Sequence, residues 1–322
     1  MREKRIFRIV VALLLLPLML GVATADAKKK KKKPKSPPVT VVSASKSTSS
    51  DSEQVTVTAA CPSGLIAVGG GFLDPAAFDM GSPTDLNIVY ESRRASDISW
   101  QVSAVREQTG DPGPELPLTA IVDCRSAKLT AKKQSGKKAD AAKKKKARKL
   151  RITEVSGSAT SQPVTGTQAT ASAACPPGTE ALGGGFSSSP TPVLSTPLSY
   201  PIFWANFRTS PSSWSASFTN AGTTAHAVTS YAYCATGLKI AETSADVALA
   251  ASAGTASTAI AATPPCPKGK AQLGGGFNNT PAATGSTIPL LTGSSPVSGS
   301  WQVSAFNFSS VAGTLRSRAY CA

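Results

Sequence analysis

Cys61-Pro62-Ser63-Gly64-Leu65-Ile66-Ala67-Val68-Gly69-Gly70-Gly71-Phe72 decides the fold, because the chain carries its pattern three times. Cys175-Pro176-Pro177-Gly178 precedes Gly183-Gly184-Gly185-Phe186, and Cys266-Pro267-Lys268-Gly269 precedes Gly274-Gly275-Gly276-Phe277. In every copy the first glycine of the triplet lies 8 residues after the cysteine. A tryptophan follows that cysteine by 39, 39 and 35 residues (Trp100, Trp214, Trp301), and a second cysteine closes each copy (Cys124, Cys234, Cys321). Self-similarity on this scale marks a tandem array of one supersecondary unit.

The cysteines sit in phase with alternating apolar residues. Val55, Val57, Ala59 and Cys61 alternate, as do Ala169, Ala171, Ala173 and Cys175; Ala120, Val122 and Cys124 do so at the far end of the first copy. Trp100, Val102, Ala104 and Trp301, Val303, Ala305 repeat the pattern in the middle. Period two implies strands with one buried and one wet face, so both cysteines and the tryptophan point into one core. Six cysteines admit many pairings. The repeat selects Cys61–Cys124, Cys175–Cys234 and Cys266–Cys321, which let each copy close without its neighbours. The expected fold is all-β: three tandem small antiparallel sandwich or barrel modules of about five strands, one disulfide each, joined by disordered lysine-rich tracts. An immunoglobulin pattern is excluded, because there the tryptophan lies nearer the first cysteine. A module of roughly 85 residues buries too little surface to be comfortably stable. A bridge closing about 60 residues contributes about 4 kcal/mol in the chain-entropy model.

The composite of Cys-Pro-x-Gly, Gly-Gly-Gly, tryptophan and terminal cysteine resembles that of uncharacterised secreted bacterial proteins. The resemblance covers nearly all of the chain outside the lysine tracts. It implies secretion and a disulfide, and it implies no activity.

The first residues read as a signal peptide (1–27). Arg2, Lys4, Arg5 and Arg8 precede an apolar run from Ile9 to Leu20, and Ala23-Thr24-Ala25 and Ala25-Asp26-Ala27 are both cleavage candidates. Cleavage after Ala25, cleavage after Ala27 and retention as an anchor all remain open. No later stretch is apolar enough to span a bilayer as a helix. The expected location is secreted or cell-surface, outside the cytoplasm, where disulfides persist.

Charge divides the remainder. The net charge of +16 comes from the tracts. Residues 28–38 form a lysine-rich tail with Lys28, Lys29, Lys30, Lys31, Lys32, Lys33 and Lys35; residues 125–151 form a linker with thirteen basic side chains against Asp140. Module 1 (39–124) has four basic and eleven acidic residues; module 2 (152–234) and module 3 (235–322) are near neutral. Like-charge runs of this kind are expected to be solvated and disordered. They act either as spacers between modules or as a grip on a polyanion, through counterion release. For the second role the candidate residues are the tail lysines with Lys143, Lys144, Lys145, Lys146, Arg148 and Lys149. The partner would be an anionic envelope polymer or another extracellular polyanion.

Little else suggests chemistry. The glycine triplet lacks the Gly-Lys-Ser/Thr of a phosphate loop and reads as a bulge or a crowded turn where no Cβ fits. His226 is the single histidine and reads as a surface residue. Asp74, Asp79, Asp85, Glu91 and Asp97 make module 1 acidic; a wet face opposing the lysines is the leading reading, ahead of calcium or glycoside hydrolysis. Module 2 carries extra aromatics, Tyr200, Phe203, Trp204, Tyr231 and Tyr233, a candidate patch for a glycan or protein. No cofactor, metal site or catalytic residue is expected. The leading functional expectation is a non-catalytic surface or matrix protein whose modules act as beads. A glycan- or protein-binding module and an extracellular hydrolase are the alternatives.

Overall fold

Alternation of small and apolar residues, with glycine at every crowded crossing, builds twenty strands and no helix among the described residues. A computed structural model describes residues 39–48, 53–74, 85–108, 115–129, 148–192, 199–252, 256–280 and 289–322. The first repeat contributes β1 (Thr40–Thr48), β2 (Gln54–Ala60), β3 (Leu65–Leu73), β4 (Asp85–Ser96), β5 (Ser99–Gln108) and β6 (Leu116–Ser126). Two short strands follow, β7 (Lys128–Leu129) and β8 (Arg148–Lys149). The second repeat contributes β9 (Ile152–Thr160), β10 (Gln168–Ala174), β11 (Thr179–Ser189), β12 (Pro201–Ser210), β13 (Ser213–Asn220) and β14 (Ala227–Thr236). The third contributes β15 (Ala241–Leu249), β16 (Ser257–Ala262), β17 (Gln272–Thr280), β18 (Leu290–Val297), β19 (Ser300–Asn307) and β20 (Gly313–Cys321). Each repeat thus has six strands. The strand that alternation hides is the fourth: in β4 and β18 the stretches Leu86–Val89 and Leu290–Ser295 are buried on both faces.

The three disulfides form within the repeats, as the spacing predicts. Cys61–Cys124, Cys175–Cys234 and Cys266–Cys321 have Cα separations of 5.5, 5.6 and 5.7 Å. Each joins the end of the second strand to the sixth strand. Those two strands lie in different sheets, so the bridge pins the two layers of a sandwich together.

The sheets themselves cross repeat boundaries. Their orders are β1-β6-β3-β18-β19-β16, β2-β5-β4-β11-β14-β9 and β10-β13-β12-β17-β20-β15. Every sheet therefore joins the first, sixth and third strands of one repeat to the fourth, fifth and second strands of another, giving a pseudo-threefold arrangement. The junctions are antiparallel: Ser294 opposite Phe72, Phe186 opposite Ser92, and Asn206 opposite Phe277. The expectation of three beads with separate cores is corrected here. A lone repeat would leave the third and fourth strands as unpaired edges, and edge pairing removes that exposure. One core cluster accordingly draws on all three repeats, including Phe72, Phe186 and Phe277. Phe186 lies 6.4 Å from Phe277 edge-on and 4.0 Å from Phe203 between ring centroids. Residues from Lys35 to Ala322 form a single unit.

The glycine triplets explain how such close packing closes. A methyl group on the first glycine, Gly69, would overlap the carbonyl of Leu273 and crowd Gly274 from the third repeat. A methyl on the second, at Gly70, Gly184 or Gly275, would enter the indole of Trp100, Trp214 or Trp301. A methyl on the third, at Gly71, Gly185 or Gly276, would strike the backbone carbonyl of Ser294, Ser92 or Asn206 across the junction. The triplet thus sits in a strand beside a bulge, not in a turn, and its missing Cβ atoms serve three different neighbours.

Candidate functional sites

The buried tryptophans anchor each repeat by a donated hydrogen bond. Trp100 Nε1 donates to Ser92 Oγ at 3.0 Å, Trp214 Nε1 to Asn206 Oδ1 at 2.7 Å, and Trp301 Nε1 to Ser294 Oγ at 2.9 Å. At two junctions a tyrosine from the neighbouring repeat closes over the indole. Tyr233 meets Trp100 edge-on at 5.7 Å, and its hydroxyl accepts the Arg94 backbone N–H at 2.7 Å. Tyr320 meets Trp214 at 5.2 Å and accepts the Arg208 N–H at 2.9 Å. Burial pushes both phenols well above their ordinary titration range.

That placement corrects the aromatic patch. Tyr233 alternates with the inward Cys234 and so has an outward phase, but the first repeat covers that face and buries it. Phe203 is also buried, in the core against Phe186 and Phe218. Tyr200 is half-buried against Ile88 and Val105. Tyr231 is half-buried, hydrogen-bonded to Ser187 at 3.1 Å, with the Arg93 guanidinium 5.5 Å above its ring. Trp204 is half-buried. The five do not make one exposed surface.

The acidic residues of the first repeat likewise separate. Asp74 is buried, and its carboxylate accepts the Asn87 N–H at 3.3 Å. Glu91 is half-buried; it accepts from Ser103 (2.6 Å), Gln101 (2.8 Å) and Arg93 (2.6 Å). Desolvation raises its pKa, but those hydrogen bonds and the Arg93 charge outweigh it, so the carboxyl titrates below its ordinary value. Asp97 is exposed and pairs with Arg94 at 2.9 Å. Asp79 lies outside the described residues, and Asp85 begins β4. Asp74, Glu91 and Asp97 therefore do not share a single wet face. Among the described residues, no group of three or more His, Cys, Asp and Glu could hold a metal ion.

His226 is also corrected: it is fully buried rather than exposed, with Nε2 2.9 Å from Ser199 Oγ. Desolvation lowers its pKa. Ser199 is buried too.

The basic tracts lie mostly outside the described residues: Lys28–Lys33, Lys35 and Lys143–Lys146 are among those not described. The two ends of the linker are described. Lys128 pairs with Lys149 and Leu129 with Arg148 in a two-stranded antiparallel ladder. The Leu150 N–H donates to the Ala127 carbonyl at 2.6 Å, and Leu150 is buried in the common core. The two described ends of the linker, Leu129 and Arg148, therefore lie side by side. That corrects the spacer reading, since a segment with adjoining ends separates nothing.

One residue that sequence reasoning passed over is Asp123. It precedes the closing cysteine of the first repeat, where the second and third repeats have Tyr233 and Tyr320. It is buried, and neither carboxylate oxygen has a hydrogen-bond partner. Desolvation pushes its pKa up to about 7. Aligning the three repeats on their last cysteine would have singled it out. Among the described residues no helix is long and apolar enough to cross a membrane, and three disulfides fit an oxidising, extracytoplasmic compartment. No protein-family model matches the chain, and a search of curated proteins finds no similar sequence.

Proposed function

We propose that this is an exported, non-catalytic surface or matrix protein in which a disulfide-braced β body presents lysine tracts to an anionic polymer outside the cell. The observation that carries the reading is the pairing of β7 with β8. It brings together the two ends of residues 130–147, a segment with eight lysines and one aspartate. A segment with so many lysines and adjoining ends offers a dense polyanion many cations tethered near one point, and their binding is driven by counterion release. The body supports this role by its construction, with a bridge in every repeat and sheets that continue from one repeat to the next. The signal-like first residues favour export of the whole.

The test is deletion. A variant joining Leu129 to Arg148 through a two-residue turn, and lacking 28–35, should keep the fold of the body. Its affinity for a defined polyphosphate should fall by at least about tenfold at low salt. The dependence of log affinity on log salt should become shallower as phosphate contacts are removed. Unchanged affinity and slope in the deletion variant would refute the reading.

A further inference from the structure

The three junctions of the pseudo-threefold body are built alike in two cases and differently in the third. Arg94 and Arg208 stand opposite their tryptophans in the strand ladders, and their backbone N–H groups hold the tyrosine hydroxyls. The equivalent of both arginines in the third repeat, opposite Trp301, is Pro296, which has no N–H to donate. The equivalent of both tyrosines is Asp123, on β6 of the first repeat. A ring and its hydrogen-bond donor are thus missing together, from facing positions of one junction.

A cleft of about 300 Å³ lies at that place, within the size range of small-molecule sites. Its walls include Val41, Pro265, Pro296 and Lys270, and its polar groups include Asp123 and Gln272. Gln272 replaces Ala67 and Ala181 of the other repeats at the strand position paired with the closing cysteine. Its amide nitrogen is buried and, like the Asp123 carboxylate, has no hydrogen-bond partner. Lys270 is the charged group facing the cleft from the third repeat; its ammonium donates to the carbonyls of Lys239 (3.0 Å) and Cys321 (3.4 Å) and makes no ion pair with Asp123. The strand neighbours of Asp123, Val41 on β1 and Gly69 on β3, carry no charge. Buried polar groups without partners are rare in folded proteins, and each calls for an explanation.

We propose that this cleft is a binding site for a small arylalkyl-ammonium molecule. The ring would take the place that Tyr233 and Tyr320 fill at the sister junctions, between proline and valine walls. The ammonium would donate to the Asp123 carboxylate, and a hydroxyl on the ring would accept from the Gln272 amide. Tyramine has this chemistry, and p-cresol is the same ring without the ammonium.

The experiment titrates the full-length protein with tyramine and with p-cresol, reading the backbone amide resonances of Cys266, Gln272 and Gly299. Tyramine should shift them saturably at about pH 8, where Asp123 is ionised, and at least about tenfold more weakly at about pH 5.5, where it is protonated. Asp123→Asn, which keeps the shape and removes the charge, should weaken tyramine at least about tenfold at the higher pH and flatten the pH dependence. Asp123→Tyr should refill the cleft and abolish binding; if that variant does not fold, the asparagine variant decides. Equal binding of tyramine to wild type and Asp123→Asn, equal binding of p-cresol and tyramine, or no saturable shift at all would each overturn the proposal.

Discussion

Replacing Cys175 and Cys234 with serine asks whether the repeats stand alone or stand together. The bridge closes a separation of 59 residues, so its loss releases about 4 kcal/mol of denatured-state entropy in the chain-entropy model. Both positions are buried, and two buried hydroxyls in place of sulfur add about 1–2 kcal/mol more. The expected destabilisation is about 5 kcal/mol, which for a body of this size lowers Tm by about 10–20 °C. The sheet topology decides where that loss appears. The β11 strand of the second repeat pairs with β4 of the first, β12 pairs with β17 of the third, and Phe186 packs against Phe277. Unfolding the second repeat would strip an edge from both neighbours and open the shared core. Calorimetry should therefore show one transition in the variant, as in the wild type, displaced to lower temperature. Slow amide exchange in β3 and β17, far from the removed bridge in sequence, should accelerate by a similar factor to that in β11. Two separate transitions, with β3 and β17 keeping wild-type protection, would refute the argument.

Gly71→Ala should destabilise the whole body by at least about 3 kcal/mol in denaturant melts, because the methyl meets the Ser294 carbonyl across a junction. Gly64→Ala, in a turn with φ +82° and open space around it, should cost only about 1 kcal/mol of backbone strain; similar losses for the two would remove the close-approach explanation. The Asp123 carboxyl, with its folded pKa raised to about 7, should contribute stability that is full below about pH 4 and is lost as pH rises through 7. Relative to Asp123→Asn, wild type should then lose up to about 4 kcal/mol across that window and stay level above it; a difference independent of pH would mean that the carboxyl is not desolvated.

The sequence alone determined what depends on spacing along the chain. Three copies of cysteine, glycine triplet, tryptophan and cysteine, in phase with alternating apolar residues, specify β strands, three internal bridges and a buried indole, because alternation and cysteine position are local properties. They also locate the net charge, since charge adds along the chain whatever the fold. The sequence could not tell that strand edges of one repeat are completed by another. Backbone hydrogen bonds carry no residue code, and an outward phase looks the same whether water or a neighbouring repeat covers it. That is why Tyr233 reads as exposed in the sequence and is buried under the first repeat, and why the linker reads as a spacer although Lys128 and Lys149 are paired. Asp123 belongs to both levels. Its difference from Tyr233 and Tyr320 is written in the repeat, but only the junction places it opposite Pro296, where the missing ring and the missing N–H leave a cleft floored by a carboxylate.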